Sequence, residues 1–493
     1  MRNRASYIAL LTWMFLLLSW GAILEAQQAN TLYLMHAVPQ SNLLNPAVQI
    51  QCKYYVGIPL LSSIYFNYSN TAFTYNDLAS TNTWNIKGVS KQMHHKDLYT
   101  GEVELNLLAF GYRRKSLYFT FNLTEKGQVY QTIPGDMAQM AVNGNGPVVG
   151  ETARFDGFRP GGYHTRNYSL GLSKVFGPYL TAGIRARLLF GKANLSPGPS
   201  TIRVNTREDN FALLTEADYT LNSSFPMTIL KDDEGNITGI DVHEIDPVEY
   251  LMNRGNVGLG LDFGLIYKYS DEITLSASVL DLALVRWKTD LNNVRGEGVF
   301  EYAGTDFSQV INAGDLVNEM VDSLINSIDF TSTTNPYTYL LPTQIFLAGS
   351  YRYSEKISFG MVNRNVIYRS KLHSSFTLSA QAALAEKFTG SLSWSYLNNS
   401  LLNVGVGVAL HGKGIQFHMG TDNLLGFFFP FDTRTLNLRA GINLMLGCPR
   451  NKKERLQEQS YGFLPKGGEC PYPEKPEKKA KKQRMVVRRI NKI

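Results

Sequence analysis

The chain has 493 residues, 44% of them hydrophobic and 18% charged, with three cysteines and a formal net charge of +7. That charge is lopsided: residues 449–493 hold 9 Lys, 5 Arg and 5 Glu, which sums to +9 and leaves 7 − 9 = −2 on residues 1–448. A nearly neutral body excludes a nucleic-acid-binding surface spread over the protein. No segment beyond the N-terminus approaches the roughly 18 unbroken apolar residues of a membrane-spanning helix, which excludes later helical spans.

Arg2 and Arg4 precede an apolar run over residues 7–24, and the polar Gln27-Gln28 follows Ala26. This pattern predicts a secretory signal peptide over residues 1–26, cut after Ala26; an uncleaved anchor helix is the competing reading. Residues 27–62 follow as an N-terminal segment centred on Ser41-Asn42-Leu43-Leu44-Asn45-Pro46-Ala47. It reads either as a periplasmic leader or as a hatch folded into a lumen, with Asn45, Pro46 and Ala47 as the candidate hatch motif.

Fourteen segments then alternate apolar and polar residues with period two. They lie near 63–76, 102–112, 115–123, 166–176, 178–191, 255–269, 272–285, 339–353, 355–368, 373–385, 387–397, 401–411, 414–421 and 434–446. Side chains of a strand point to opposite faces in turn, so each segment predicts a strand with one apolar face. In the last, Leu436, Leu438, Ala440, Ile442, Leu444 and Leu446 alternate with Asn437, Arg439, Gly441 and Asn443. Its length matches the roughly 9–11 tilted residues that cross a bilayer, rather than the five or six usual in a soluble sheet. Only a closed barrel satisfies strand main-chain groups in lipid. Apolar residues then face lipid, where a charge costs about 2–4 kcal/mol at midplane.

The connections support this. Counted back from the last strand, alternate connections are short: Arg113-Arg114-Lys115, Phe176-Gly177-Pro178, Ser270-Asp271, Ser354, Glu386 and Gly412-Lys413. The others include 77–101, 124–165, 192–254, 286–338 and 422–433, with two brief ones near 370 and 399. Short periplasmic turns and long outer loops are the habit of an outer-membrane barrel with both termini in the periplasm. Residues 199–222 carry further alternation that would extend the wall above the membrane. Residues 313–328 predict an amphipathic helix in a long outer loop. In residues 273–285 the alternation breaks near Asp281, which predicts a β-bulge there or, alternatively, the end of the crossing. The expected organisation is thus all-β: a barrel of about 14 antiparallel strands over 63–447, then a disordered basic periplasmic tail over 448–493.

Inward-facing polar residues are the candidate luminal set: Arg185, Arg187, Asp262, Lys268, Arg364, Gln381, His418, Asn437 and Arg439. They read as a neutralising network or as a polar pathway, and their mixed signs argue against a strongly ion-selective pore. His411 and His418 share the lumen with Ser375 and Ser379, but no motif singles out a nucleophile and base, so no enzyme is expected. His94-His95 and the Lys231-to-Asn236 stretch lack the ligand spacing of zinc and calcium sites, and no metal or cofactor is expected. The glycines Gly258, Gly260 and Gly264 lie within a strand, where they make room for luminal groups or bends. For the cysteines three readings stay open: a Cys52–Cys448 bridge across the seam between first and last strands, a Cys448–Cys470 tail loop, or free thiols.

The Leu44-Asn45-Pro46-Ala47 stretch ahead of fourteen strands resembles the hatch region of long-chain fatty-acid transporter barrels and of the PorV group of type IX secretion. Residues 57–64, the Phe73-to-Leu78 stretch, Ser278-Val279-Leu280-Asp281-Leu282 and the Thr421-Asp422-Asn423-Leu424 turn resemble a family of uncharacterised Bacteroidetes outer-membrane barrels. The resemblance covers about residues 30–447. What it implies is place and architecture, with two functions: passage or binding of a small, hydrophobic solute, or a scaffold or accessory role in surface-protein secretion. The implied partners are outer-membrane lipid and a periplasmic or secretion-machinery protein reached through the basic tail or outer loops, with no nucleic acid.

Overall fold

A computed structural model describes residues 30–80, 83–94, 97–231, 237–302, 329–368, 371–385 and 387–448. The expected signal peptide, the expected helix over 313–328, Cys470 and the basic residues beyond 448 lie outside the described residues.

Fourteen wall strands follow in chain order. They are β1 (Tyr54–Gly57 continued by Ile64–Asn70), β2 (Leu98–Arg114), β3 (Leu117–Thr132), β4 (Arg159–Phe176), β5 (Leu180–Pro197) and β6 (Asn256–Lys268). Next come β7 (Ile273–Trp287), β8 (Tyr337–Leu340 continued by Thr343–Arg352), β9 (Ile357–Tyr368) and β10 (Lys371–Ala385). β11 (Phe388–Leu397), β12 (Ser400–His411), β13 (Ile415–Thr421) and β14 (Thr435–Leu446) complete the wall. Each pairs antiparallel with the next, and β1 pairs with β14 through Val56↔Leu444 and Phe66↔Leu438, so no edge is left open. The wall begins at Tyr54, inside the stretch assigned from sequence to the N-terminal segment. The four residues 54–57 are too short to show a period of their own; they are strand because both β14 and β2 offer them partners.

The burial pattern is that of a soluble protein turned inside out. Along β6 burial alternates without a break from Asn256 to Ile266: Gly258, Asp262 and Gly264 are buried, while Val257, Leu259, Leu261, Phe263 and Leu265 are exposed. An apolar exposed belt with a polar interior is stable only when the outside solvent is hydrocarbon. No helix among the described residues is long and apolar enough to cross a membrane.

The bulge at Asp281 is present. Leu261 pairs with Leu282 and Phe263 with Val279, so Leu280 and Asp281 together oppose Asp262. Asp281 takes φ 60°, and the extra residue turns both Leu280 and Asp281 inward before Leu282 and Leu284 return to the lipid face. Above the long-loop rim, strands Thr201–Thr206, Leu213–Ser224 and Asn293–Tyr302 extend the wall, the second of them pairing with the top of β5.

Candidate functional site

The lumen is filled, and the filling is layered. Nearest the short-turn rim lies the N-terminal segment. Residues 30–50 are almost wholly buried, and their side chains meet inward residues from strands around the whole wall. Asn30 Nδ2 donates to Ser375 and Thr377 of β10, and Thr31 N–H to Asp422 beyond β13. Tyr33 stacks on Phe346 of β8 at 4.8 Å, within an apolar cluster that includes Leu34, Met35, Val38, Leu280 and Val362. Gln40 and Asn443 of β14 exchange amide hydrogen bonds of 2.9 and 3.0 Å.

The candidate hatch motif sits where the segment turns against β5, β6 and β7. Asn45 Oδ1 accepts the Ala47 N–H at 2.9 Å, which fixes the turn, while its Nδ2 donates to the Tyr33 hydroxyl and faces the Leu265 and Ala277 carbonyls at 3.4 Å. Two wall glycines permit this approach. A Cβ on Gly183 would lie 2.2 Å from the Pro46 carbonyl oxygen, and one on Gly264 would lie 2.2 Å from Asn45 Oδ1. On the lipid side of the same patch is an apolar groove of about 550 Å³ lined by Leu172, Phe176, Ile184, Phe263, Leu265 and Val279.

The middle layer is ionic. A cavity of about 70 Å³ is bordered by five bases, Lys126, Arg185, Arg187, Arg364 and Arg439, and by four carboxylates, Glu102, Glu104, Asp262 and Asp281. Such a volume holds about two waters. Arg185 Nε bonds Asp262 at 2.7 Å, and its two terminal nitrogens donate to the Asn42 and Leu43 carbonyls at 3.1 and 2.7 Å. This side chain ties the middle layer to the hatch. Arg187 bridges Asp262 and Asp281, Lys126 bridges Asp281 at 3.2 Å and Glu102 at 3.3 Å, and Arg439 joins Glu104 and Ser63. Arg364 donates to Gln344, which in turn donates to Asp281. Five bases against four carboxylates leave 5 − 4 = +1 on the layer, so most of its charge cancels within the network and only a weak field meets a passing ion.

Above it, toward the long loops, aromatic side chains close the interior. Tyr130 lies four residues beyond Lys126 on β3 and Tyr368 four beyond Arg364 on β9, and they pack at 5.5 Å. Trp287, Tyr163 and Tyr339 form the adjoining buried cluster.

The structure brings Arg185, Arg187, Asp262, Arg364 and Arg439 together in one network. Asn437 lies apart, accepting the Asp422 N–H and donating to its carboxylate, and so braces the group that holds Thr31. His418 faces Asn443 at 3.5 Å, and Gln381 is buried on β10. Ser375 accepts from Asn30, and among the described residues no hydrogen bond joins it to His418. Lys268 falls on the buried face of β6 by alternation but stands at the end of the strand, half-buried at the rim and 3.8 Å from Asp271 in the following turn. Cys52 and Cys448 are disulfide-bonded, which pins the far end of the segment to the seam.

Sequence reasoning missed Lys126, Glu102, Glu104 and Gln344 as network members. The third segment stops at 123 in the alternation because Glu125 and Lys126 are both charged. Glu125, however, faces outward and is covered by Arg166 and His164, beneath a loop helix (Pro247–Met252) whose Tyr250 hydroxyl meets His164 at 2.9 Å. Burial, with Glu125 nearby, pushes the Tyr250 hydroxyl up to about 12.

A family of unknown function, DUF5723, matches residues 46–422. No curated protein matches the chain. Among solved structures it is similar to the TodX deltaS2S3 mutant monoaromatic hydrocarbon channel, at TM-score 0.40 and 10% identity over 83% of this chain and 94% of that one. It is also similar to the Ralstonia pickettii toluene transporter TbuX, at TM-score 0.39 and 10% identity over 83% and 94%. A Pseudomonas aeruginosa FadL homologue matches at TM-score 0.32 and 9% identity over 86% and 100%.

Proposed function

From the premise that the chain belongs to the DUF5723 family, we propose that it is a non-enzymatic outer-membrane barrel, both termini periplasmic, that binds or passes a small apolar solute under the control of a movable hatch. The observation that carries this reading is how residues 30–50 are held. Among the described residues, every main-chain-to-main-chain hydrogen bond of this stretch is internal to it, as in Met35 to Leu32 and Asn45 to Ser41. The hydrogen bonds that join it to the wall each use a side chain on at least one side, as in Thr31 N–H to Asp422 and Arg185 to the Asn42 and Leu43 carbonyls. A segment paired into the wall could leave only by unfolding the sheet, whereas this one can detach as a local unit while the barrel stays closed. The disulfide at Cys52 would keep it tethered as it moves. The groove of about 550 Å³ opposite the Asn45-Pro46-Ala47 turn supports an apolar solute, since its lining is hydrocarbon apart from Lys174 and Ser278 and lies one wall thickness from the hatch tip.

The test locks the hatch. A Cβ on Gly360 would lie 2.2 Å from Leu34 Cδ1, so Leu34→Cys with Gly360→Cys places two thiols in bridging range. Cells carrying this double variant are challenged with the small apolar dye 1-N-phenylnaphthylamine. Uptake should fall to the level of cells lacking the barrel when the pair is oxidised, and return on mild reduction. If wild-type uptake already equals that of cells without the barrel, the reading fails and a scaffold role in secretion takes its place.

A further inference from the structure

We infer that the short-turn rim of the barrel is a docking surface for anionic phospholipid headgroups in the leaflet that it crosses. The inference rests on the barrel spanning a membrane and is independent of any solute. Bases are set around this rim: Lys53 before β1, Arg114 at the end of β2, Lys115 between β2 and β3, Lys174 near the end of β4, Lys387 before β11, and Lys413 between β12 and β13. All six are exposed. Among the described residues no carboxylate pairs with Lys53, Lys115, Lys174, Lys387 or Lys413. The rim bases Lys268 and Arg352, by contrast, are engaged with the Asp271 side chain and main chain.

The direction of these groups selects the occupant. Lys53 Nζ lies 5.3 Å over the Tyr54 ring, which stacks on Tyr112 of β2, and Lys174 Nζ lies 5.1 Å over the Phe176 ring. Aromatic side chains at the end of a lipid-facing belt mark the headgroup level. The Lys53 and Lys174 ammonium groups therefore stand on the lipid side of the rim at the height of phosphates, with the other bases at the turns beside them. A protein partner would meet the end of the barrel; a phospholipid meets its flank, where these charges are. On the long-loop side the exposed bases Arg207 and Arg295 are matched by Asp209 and Glu301, and by Asp218 and Glu297, while Lys87, Arg203 and Arg254 are exposed on the loops and wall extension.

The full-length protein is reconstituted in vesicles of phosphatidylcholine and phosphatidylglycerol in equal parts. It is then excised with its lipid annulus by a styrene–maleic acid copolymer, and the two lipids are quantified. A base near an anionic surface favours the anionic lipid about fivefold, so the wild-type annulus should be several-fold enriched in phosphatidylglycerol over the bulk. K53Q/K115Q/K174Q/K387Q/K413Q should bring the ratio most of the way back to the bulk value although Arg114 and the basic tail are intact. The loop variant K87Q/R203Q/R254Q should stay enriched. Should the five-fold variant not assemble, wild-type protein reconstituted at about 1 M salt, where the Debye length is about 3 Å, must lose the enrichment. A wild-type annulus at the bulk ratio overturns the proposal, as does enrichment that survives in the five-fold variant or vanishes equally in the loop variant.

Discussion

Replacing Arg185 by Ala should release the hatch without opening the wall. The guanidinium makes three charge-assisted hydrogen bonds, of which two go to the hatch carbonyls of Asn42 and Leu43, at 3.1 and 2.7 Å. At about 1.5 kcal/mol for each bond to a charged group, hatch anchoring weakens by about 3 kcal/mol. The third partner, Asp262, is not orphaned: it keeps the Arg187 guanidinium at 3.4 Å and accepts the Asp281 N–H at 2.8 Å. The wall therefore avoids the larger penalty of an uncompensated buried charge. Since about 1.36 kcal/mol is tenfold in an equilibrium, amide exchange in residues 38–50 should accelerate about a hundredfold, measured by hydrogen–deuterium exchange of the reconstituted protein. Amides of β5 and β6 should keep their wild-type rates. R185K separates charge from geometry, because one ammonium can hold Asp262 but cannot fork to both carbonyls; its effect should fall between the two. Unchanged exchange over 38–50 in R185A, or equal loosening of hatch and wall, would refute the idea that Arg185 latches a locally detachable segment.

Other outcomes follow from the same geometry. Gly264→Val places carbon where Asn45 Oδ1 now sits, so overpacking of about 1–3 kcal/mol should loosen the hatch turn and raise its exchange, with β6 intact. Asp281→Ala leaves Lys126 with Glu102 and Arg187 with Asp262; loss of a buried ion-pair member should cost about 3–5 kcal/mol, reduced by those remaining partners, and appear as a lower urea midpoint in vesicles. The Cys52–Cys448 bridge closes a sequence separation of 396. The chain-entropy account then sets an upper limit of about 6 kcal/mol on the loss in Cys52→Ser, read as earlier heat-dependent gel shift than wild type under non-reducing conditions. Tyr250, with its hydroxyl pushed up to about 12 from 10.0, favours the docked helix while neutral. That contribution is full below pH 10 and is lost as pH rises through 12, so the protection of 247–252 relative to base-catalysed intrinsic exchange should fall over this window in wild type and not in Tyr250→Phe.

Much of the architecture was legible from residue order, because a lipid-facing wall imposes a local rule. Leu259, Leu261, Phe263 and Leu265 must point one way and Asp262 and Gly264 the other, whatever the rest of the chain does. The parity of connections is equally local, so strand number and closure were readable from spacing, while the break of period at Asp281 left a bulge and the end of the crossing both open until the pairing of β6 with β7 decided for the bulge. What sequence alone left open was everything that depends on which inward residues meet across the lumen. Arg185 and Asp262 lie 77 positions apart, and Asn30 and Ser375 lie 345 apart. No periodicity encodes such pairs; strand register and barrel closure decide them. The same holds for the N-terminal segment. Its polar Asn30, Gln40 and Asn45 suit water as well as a polar lumen, and only the tertiary arrangement, with Gly183 and Gly264 leaving space for the turn, placed it inside. The wall was written locally by its contact with lipid; its contents were set by contacts between residues hundreds of positions apart.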